Sequence, residues 1–339
     1  MNKIFLFTDY RGQFYSSTKH RGASVDLKRL RDYFVEYDFE LFILPLSKID
    51  FRTQNYKNNW VLYQSSEDPG LFYRSYVEDV VLGLYFQGAK LIPNFAQFRA
   101  HHNKNFMEIL RDLHSLPDIK NIQAKGYGTY EDYVNDVNGL NEKIFILKSS
   151  NTSKSKGVFR LDTKSKEMKL PKKISRTFSF QNFHYLIEKL KTGNKPLTIS
   201  GHRKKFILQP YMDGLQGDYR VVVYGKKFYV LYRKNRSNDF RASGSMNFNY
   251  DIELPKGLLD YTKKVFESFD VPYMALDVGI KENDFFLFEF QFLSFGQYTL
   301  EKSSFYHHLS DGKWQKAFEK PDLEREIATS VSKFIKHHS

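Results

Sequence analysis

The sequence predicts a protein of the α+β class (mixed α/β), in which an open α/β domain comes first and antiparallel strands dominate the second half. Two observations support this prediction. Near the start, the apolar segments Lys3–Thr8 and Phe39–Leu44 flank Ser24–Tyr37, a segment with helical spacing, which is the pattern of a βαβ unit. Further along, the predicted strands Tyr219–Val223 and Phe228–Arg233 are separated by a short turn, which is typical of a hairpin.

Length and composition bound the class of protein. With 339 residues the chain is long enough for two or three domains, and its 41% apolar and 27% charged residues indicate a globular protein. The absence of cysteine excludes disulfides, thiolate metal sites and a cysteine nucleophile. The first ten residues, MNKIFLFTDY, lack the features of a signal peptide, and no apolar run is long enough to cross a bilayer. We therefore expect a soluble, cytoplasmic protein.

The chain is basic, with a formal net charge of +13. Three interpretations are open: a nucleic-acid-binding surface, an ordinary basic surface, or a site for a triphosphate and an acidic substrate. The positions of the basic residues favour the third, because several fall within the motifs described below. Aromatic residues, at 17%, are mostly Phe and Tyr in alternating strand patterns, so we expect them to pack the core rather than to stack on bases.

Residues 1–95 contain the elements of a small open α/β domain. Ser24 is the expected N-cap of the first helix, further strands are predicted at Trp60–Gln64 and Lys90–Pro93, and a second helix at Tyr73–Gly88. In sheets of this kind, ligands bind at the carboxyl ends of the strands. The residues that follow the predicted strands are therefore ligand candidates, or else ordinary loop residues: Arg11, Gly12, Ser65, Ser66 and Arg74.

The middle of the chain places a lysine at the end of a predicted strand, Ile144–Lys148, beyond a predicted helix at Asn105–Leu113. A loop rich in serine and lysine follows this strand and contains one glycine, Gly157. Hydroxyl, backbone N–H and ammonium groups bind phosphate oxygens, so the loop is either a phosphate site or a polar turn. We expect Asp162–Arg176 to be a surface hairpin or loop and Asn182–Lys191 to be an amphipathic helix.

Oxygen-bearing side chains occur on two apolar strands near the end of the chain. One strand carries Asp277, and the next carries Glu289 and Gln291, which share a face because residues two apart on a strand point the same way. If the strands pair as a hairpin, the three side chains lie together and suit Mg²⁺. The alternative is that the two carboxylates are surface groups. Helices are predicted at Leu258–Phe269, behind these strands, and at Glu324–His337.

Five phenylalanines surround Glu289 between residues 285 and 292. We therefore expect its strand to be largely buried. A carboxylate in such a place must be compensated by a cation, because an unpaired buried charge is costly.

An ordered set of motifs resembles the ATP-grasp carboxylate–amine ligases, nearest to their RimK-like and glutathione-synthetase-like branch. The family has a hinge strand ending in Gln-Glu-Tyr, a Gly-x-Asp-x-Arg strand, a Phe-Arg-Ser loop and an Asp…Glu-x-Asn metal set. The matching segments here are Gln209-Pro210-Tyr211, Gly217-Asp218-Tyr219-Arg220, Phe240-Arg241-Ala242 and Asp277…Glu289-Phe290-Gln291. The resemblance covers about two-thirds of the chain and implies an ATP-grasp fold with an N-terminal open α/β (pre-ATP-grasp) domain. The chain is also similar to ATP-grasp proteins linked to surface-polysaccharide decoration.

The resemblance implies a role for each matching residue. Phosphate contacts are expected from lysines and the serine-rich loop: Lys104, Lys148, Ser149, Ser153 and Gly157. The adenine hinge and its neighbourhood are implied at Gln209, Pro210, Tyr211, Met212 and Asp218. The metal ligands are implied at Asp277, Glu289 and Gln291, and the catalytic cations at Arg241 and Arg220. Arg220 as a salt-bridge residue of its strand is the alternative.

Three departures from the family accompany these matches. Most glycines of the phosphate loop are replaced, Pro210 stands where the family has glutamate and has no N–H, and Gln291 replaces an asparagine. We therefore expect one hinge contact to differ and the loop to close differently.

The resulting hypothesis divides the chain at 1–95, 96–205 and 206–339, as an N-terminal α/β domain, a central lobe with the phosphate loop and a C-terminal lobe with the metal site. The implied function is an ATP- and Mg²⁺-dependent carboxylate–amine ligase that acts through an acyl phosphate. Its partners would be a small-molecule or glycan carboxylate and an amine or amino acid. The alternatives are an ATP-grasp phosphotransferase and, less favoured, a basic nucleic-acid-binding protein.

Overall fold

The fold is described from a computed structural model. It describes residues 2–14, 25–66, 72–140, 144–150, 157–163, 169–177, 187, 200–236, 239, 241, 247–293, 295 and 298–339.

The chain forms two compact units. The larger unit joins Met1–His101 to Leu215–Ser339, and the smaller unit is His102–Gly214.

The described α-helices are between four and fifteen residues long. They are α1 (Leu27–Val35), α2 (Phe72–Phe86), α3 (Phe95–His101), α4 (Lys104–Leu113), α5 (Tyr130–Asp136), α6 (Leu170–Ser175), α7 (Leu258–Phe269), α8 (Tyr298–Glu301) and α9 (Leu323–His337). Within the described residues, none of the helices combines the length and the apolar character that a membrane-spanning segment needs.

The described strands build three sheets. They are β1 (Asn2–Thr8), β2 (Phe39–Pro45), β3 (Trp60–Leu62), β4 (Lys90–Ile92), β5 (Lys125–Tyr127), β6 (Ile144–Ser149), β7 (Val158–Asp162), β8 (Phe206–Pro210), β9 (Gly217–Tyr224), β10 (Lys227–Lys234), β11 (Phe248–Asn249), β12 (Tyr273–Lys281), β13 (Asp284–Gln291), β14 (Tyr306–Ser310) and β15 (Lys313–Ala317).

The larger unit contains a parallel sheet of order β2-β1-β3-β4 and a seven-stranded antiparallel sheet of order β13-β12-β9-β10-β14-β15, with β11 on β10. Helix α9 lies in their shared core through the stripe Ile327, Val331 and Ile335, which is fully or almost fully buried. Val222 and Tyr224 of the antiparallel sheet join the same core. The terminal helix predicted at Glu324–His337 is therefore confirmed.

The antiparallel sheet buries its other face against α7. The ring centroids of Phe228 and Phe266 are 6.3 Å apart, and those of Phe290 and Phe269 are 4.9 Å apart. The helix spans the predicted residues, and the β9–β10 and β12–β13 hairpins pair as predicted. A two-residue turn at Gly225 and Lys226 connects β9 and β10, so these strands extend further than the sequence indicated.

The smaller unit contains a four-stranded sheet of order β5-β8-β6-β7. Its core face is formed by alternate residues of β6 and β8, including Phe145, Leu147, Phe206 and Leu208. The opposite face of these strands carries Ile146, Lys148 and Gln209.

Several local predictions were wrong. Asp26, and not Ser24, caps α1, because the Asp26 carboxylate accepts from the N–H groups of Lys28 and Arg29. The stretch predicted as a surface loop between 162 and 176 contains α6, whose Ser175 is buried and donates to a carbonyl one turn earlier. The helix predicted at 182–191 lies almost entirely outside the described residues.

Candidate active site

Lys148 and Gln209 lie on the same face of the smaller unit's sheet, opposite its core. Ile146 of β6 pairs with Gln209 of β8, and Lys148 lies two residues along the same strand. Directly opposite residues, and residues two apart, share a face. Gln209 is buried, whereas Lys148 is half-buried. One strand pair thus carries a predicted phosphate contact and the first residue of the predicted hinge.

Hydrogen bonds join the start of α4 to the end of β6. The Lys104 N–H donates to the Ser150 carbonyl at 3.1 Å, and the Asn105 N–H donates to the Ser150 hydroxyl at 3.2 Å. The same hydroxyl donates to Asn103, the N-cap of α4, at 3.0 Å. Ser150 is buried, so these bonds fix the backbone of Lys104 beside the strand that carries Lys148.

A backbone hydrogen bond joins the two ends of the serine-rich loop. The N–H of Ser149 donates to the carbonyl of Gly157 at 2.9 Å. Gly157 has a φ of +73°, which favours glycine, and this explains why one glycine remains in the loop. Ser153 lies outside the described residues.

The predicted hinge continues the edge of β8. The Tyr211 N–H donates to the carbonyl of Ile144 at 3.1 Å, and Pro210 pairs with Phe145, so the residue without an N–H is accommodated within the strand. The guanidinium of Arg160 lies 5.1 Å from the centre of the Tyr211 ring. Arg160 was not predicted from the sequence, although its place on β7 opposite Ile146 puts it on the face of Lys148.

In the larger unit, one end of the antiparallel sheet carries four buried charges, which we call the arginine–aspartate cluster: Asp218, Arg220, Arg233 and Asp277. Asp277 accepts from Arg220 at 2.9 Å through one carboxylate oxygen and from Arg233 at 2.8 Å through the other. Both oxygens of Asp218 also bind Arg233, each at 2.7 Å. These side chains share a sheet face with Val222 and Tyr224. That face is therefore apolar at Val222 and Tyr224 and charged at the end of the strands that carries Asp218.

The cluster depends on close approach of β9 and β10. A Cβ at Gly217 would lie 2.3 Å from the carbonyl oxygen of Arg233, so only glycine fits there. Although burial alone lowers the pKa of Arg233, the charges of Asp218 and Asp277 raise it well above the usual range. Arg233 therefore keeps its charge. It was missed from the sequence, although pairing the two predicted strands across their turn places it opposite Asp218.

The predicted metal ligands lie at the edge of this cluster. Asp277 and Glu289 are direct partners on β12 and β13, and Gln291 is on the same face two residues further. Gln291 accepts from Arg220 at 3.0 Å. Asp277 is buried, so its interpretation as a surface carboxylate is wrong. Glu289 is only half-buried, which is less than the sequence indicated.

The donor set fits Mg²⁺ in its chemistry. Two carboxylates and an amide oxygen are hard ligands, and each oxygen that accepts from an arginine has a second lone pair. Among the described residues there is no group of three or more His, Cys, Asp or Glu side chains arranged to hold a metal. The set therefore suits an ion that keeps most of its coordination for water and phosphate, as Mg²⁺ does.

Comparison with solved structures identifies the fold. A RimK domain ATP-grasp protein from Sphaerobacter thermophilus matches 98% of this chain and 99% of its own length with a TM-score of 0.52 and 12% identity. The D-cycloserine synthetase DcsG matches 98% and 99% with a TM-score of 0.53 and 10% identity. A RiPP-associated ATP-grasp ligase of Chryseobacterium gregarium, solved with ADP and a leader and core peptide, matches 100% and 98% with a TM-score of 0.52 and 11% identity.

The chain has the ATP-grasp fold. The predicted fold class is thus confirmed. No family model matches the sequence. No curated protein matches it either.

Two of the remaining predicted residues, Arg241 and Arg220, have local partners. Arg241 donates to both carboxylate oxygens of Asp239, at 3.0 and 2.6 Å, while its neighbours Phe240 and Ala242 lie outside the described residues. Met212 is half-buried beside Tyr211. The salt-bridge interpretation of Arg220 is confirmed by its bond to Asp277, and its catalytic role, like the nucleotide role of Asp218, stays a prediction.

At the carboxyl end of β1, Arg11 pairs with Asp9 at 2.6 Å. Arg74 pairs with Glu78 at 3.1 Å on α2. These two arginines have intramolecular partners, and a ligand role for them stays a prediction.

Proposed function

We propose that this chain is an ATP- and Mg²⁺-dependent ligase that joins a carboxylate to an amine through an acyl phosphate. The observation that carries the proposal is the row of oxygen ligands on one sheet face, Asp277, Glu289 and Gln291, in a chain with the ATP-grasp fold. ATP-grasp proteins described as ligases are among its structural neighbours, which supports this class of reaction.

The nucleotide would contact the smaller unit. Lys148 and the backbone of the loop between Ser149 and Gly157 would contact the phosphates, with Lys104 at the start of α4. The half-buried hinge residues Tyr211 and Met212 would contact the adenine. Positive charge here is useful because phosphoryl transfer is catalysed mainly by positioning and charge stabilisation.

The reaction would proceed in two displacements. An oxygen of the substrate carboxylate attacks the γ-phosphorus, the bond to the β–γ bridging oxygen breaks, and ADP leaves. The amine nitrogen then attacks the acyl carbon, the C–O bond breaks, and phosphate leaves with the former carboxylate oxygen while the amine loses a proton. Arg220 and Arg241 would stabilise the charge that develops on the transferred group.

Asp277, Glu289 and Gln291 would hold Mg²⁺, which supplies charge neutralisation between the phosphates when bound. The two guanidinium groups on Asp277 compensate its charge in the structure described here. We infer that the cluster holds the carboxylate in place for the metal. We further propose that the protein works in the cytoplasm, with a small-molecule, glycan or peptide carboxylate as one substrate.

A screen of carboxylates against amines tests the proposal through ADP release with and without Mg²⁺, followed by mass analysis of the products. A ligase yields ADP, free phosphate and an amide whose mass is the sum of the substrates less water. A phosphorylated acceptor without free phosphate would establish the kinase alternative instead. Absence of both Mg·ATP binding and ADP release would refute the ATP site altogether.

A further inference from the structure

The larger unit contains a cavity of about 450 Å³ between the β14–β15 hairpin and the segment that leads into α7. Its apolar wall comes from Ile252, Leu254 and Leu259. The volume lies within the range of small-molecule sites, roughly 300–1,000 Å³.

This cavity lies on the other side of the sheet from the predicted metal ligands. His307 of β14, which lines the cavity, pairs directly with Phe228 of β10, so the two share a face. Asp277 of β12 pairs with Arg220 of β9, and Arg220 pairs with Leu231 of β10. Leu231 lies three residues from Phe228 on the same strand, with no break in the register. Because three residues is an odd number, Asp277 and His307 are on opposite faces. The cavity is therefore separate from the proposed ligase site.

The polar groups of the cavity include one buried side chain without a complete set of partners. His307 is 7% exposed, and its Nδ1 is buried with no hydrogen-bond partner in the part of the chain that the structure describes. Burial and the ammonium group of Lys316 lower its pKa, so the imidazole is neutral at pH 7. His307 therefore adds no positive charge to the cavity.

The aromatic wall is Trp314, which is held firmly. Its indole N–H donates to Asp260 at 2.8 Å, and its ring meets Phe228 edge to face, with centroids 5.0 Å apart. A fixed indole face attracts cations through its quadrupole.

The charges of the cavity favour a cationic ligand. Lys316 forms an ion pair with Asp251 at 2.7 Å, and its ammonium group lies 4.3 Å from the centre of the Phe305 ring. The second carboxylate of the cavity, that of Glu253, is exposed and has no ion-pair partner among the described residues. An acidic cavity is unexpected in a chain of net charge +13, in which random surface would be basic.

We propose that this cavity binds a small primary amine with an apolar or aromatic body. The body would pack on Trp314 and Leu259, and the ammonium group would lie between Glu253 and the indole. Because the site is on the far side of the sheet from Asp277, its occupant is an effector and not the amine that reacts.

Tryptophan fluorescence tests the proposal directly, because the sequence has only two tryptophans, Trp60 and Trp314. In a Trp60→Phe background, emission reports Trp314 alone. Titration with phenethylamine should give a saturable change in emission, while 3-phenylpropionate, of similar shape and opposite charge, should give none at the same concentrations. No nucleotide is present, so failure here is independent of the proposed ligase activity.

Two variants locate the ligand. Glu253→Gln should weaken phenethylamine binding about tenfold, the effect of losing about 1.4 kcal/mol. Glu267→Gln is the matched control, because Glu267 is an exposed carboxylate on α7 that pairs with Lys263 and lies outside the cavity. This variant should bind phenethylamine with the affinity of the parent protein. Equal binding of 3-phenylpropionate, no saturable change, or an unchanged affinity in Glu253→Gln would overturn the proposal.

Discussion

Asp277→Asn is the most informative single change in the larger unit. It preserves the shape of a buried side chain and removes one of four charges in the arginine–aspartate cluster. Two guanidinium groups, of Arg220 and Arg233, lose their shared carboxylate. Arg233 keeps Asp218, but Arg220 keeps only the neutral Gln291 among the partners described above.

The expected loss of stability follows from these contacts. At an effective dielectric constant of about 20, a pair of charges about 4 Å apart gains about 4 kcal/mol, so two pairs give a gross term of about 8 kcal/mol. The asparagine costs less to desolvate and still accepts one hydrogen bond, which offsets much of this. Removing one partner of a buried pair costs about 3–5 kcal/mol in practice, and we expect about 3 kcal/mol here.

Urea unfolding followed by tryptophan emission measures this loss, because Trp60 and Trp314 both belong to the larger unit. Glu267→Gln is the control. It removes an exposed i,i+4 ion pair with Lys263 and should cost at most about 0.5 kcal/mol. If Asp277→Asn cost no more than this control, the cluster would contribute little to stability and the reasoning would be refuted.

Three further predictions concern the metal, the nucleotide and pH. Glu289→Gln should change the free energy of unfolding by less than about 1 kcal/mol because Glu289 is only half-buried. The rise in melting temperature with Mg·ATP should nevertheless be lost in this variant, and an undiminished rise would remove Glu289 from the metal site. Lys148→Met should weaken ATP binding, measured by calorimetry, about tenfold or more, because it removes a charge-assisted phosphate contact. Lys120→Met is the control, since Lys120 is exposed on the same unit, and it should leave ATP affinity unchanged. Equal ATP affinities in the two variants would contradict the assignment of Lys148. Burial and Lys316 lower the pKa of His307 in the folded protein from its ordinary value of 6.5. As pH falls below about 6.5, the histidine therefore takes up a proton in the unfolded chain before it does so in the folded protein, and the free energy of unfolding should decrease. Urea midpoints of the parent and His307→Gln between pH 5 and 8 check this, and parallel curves for the two proteins would exclude His307 as the cause.

Local sequence signals predicted much of the larger unit. The hairpin of β12 and β13 and helix α7 were found because their hydrophobic patterns and turns are complete within short segments. The pairing of β9 with β12 joins residues 57 positions apart, as in the bond from Arg220 to Asp277, and no local pattern encodes it. The two-arginine environment of Asp277 therefore emerged only from the structure.

Helix boundaries failed where two signals competed. Ser24 and Asp26 are both good N-caps, and the structure uses Asp26, whose N–H also donates to Glu324 of α9 at 2.9 Å. Helix α6 was missed because its lysines make the segment look polar, although Pro171 and Ser175 are buried. Ser150 was missed because its role depends on Asn103, 47 residues away.

The nucleotide and metal roles came from motif resemblance. The structure adds geometry to them within each unit: Lys148 shares a face with Gln209, and Asp277 shares one with Glu289. These residues carry the ligase proposal, and their chemical roles are predictions for the assays above.

The fate of an oxygen atom tests the central claim most directly. The carboxylate of the substrate pair that gives the greatest ADP release is labelled with ¹⁸O, and the released phosphate is analysed by mass spectrometry. An acyl-phosphate ligase transfers one carboxylate oxygen to phosphate for each amide formed, so the phosphate should carry one ¹⁸O. Phosphate without label, with ADP still produced, would show that water attacks the nucleotide and would contradict the account.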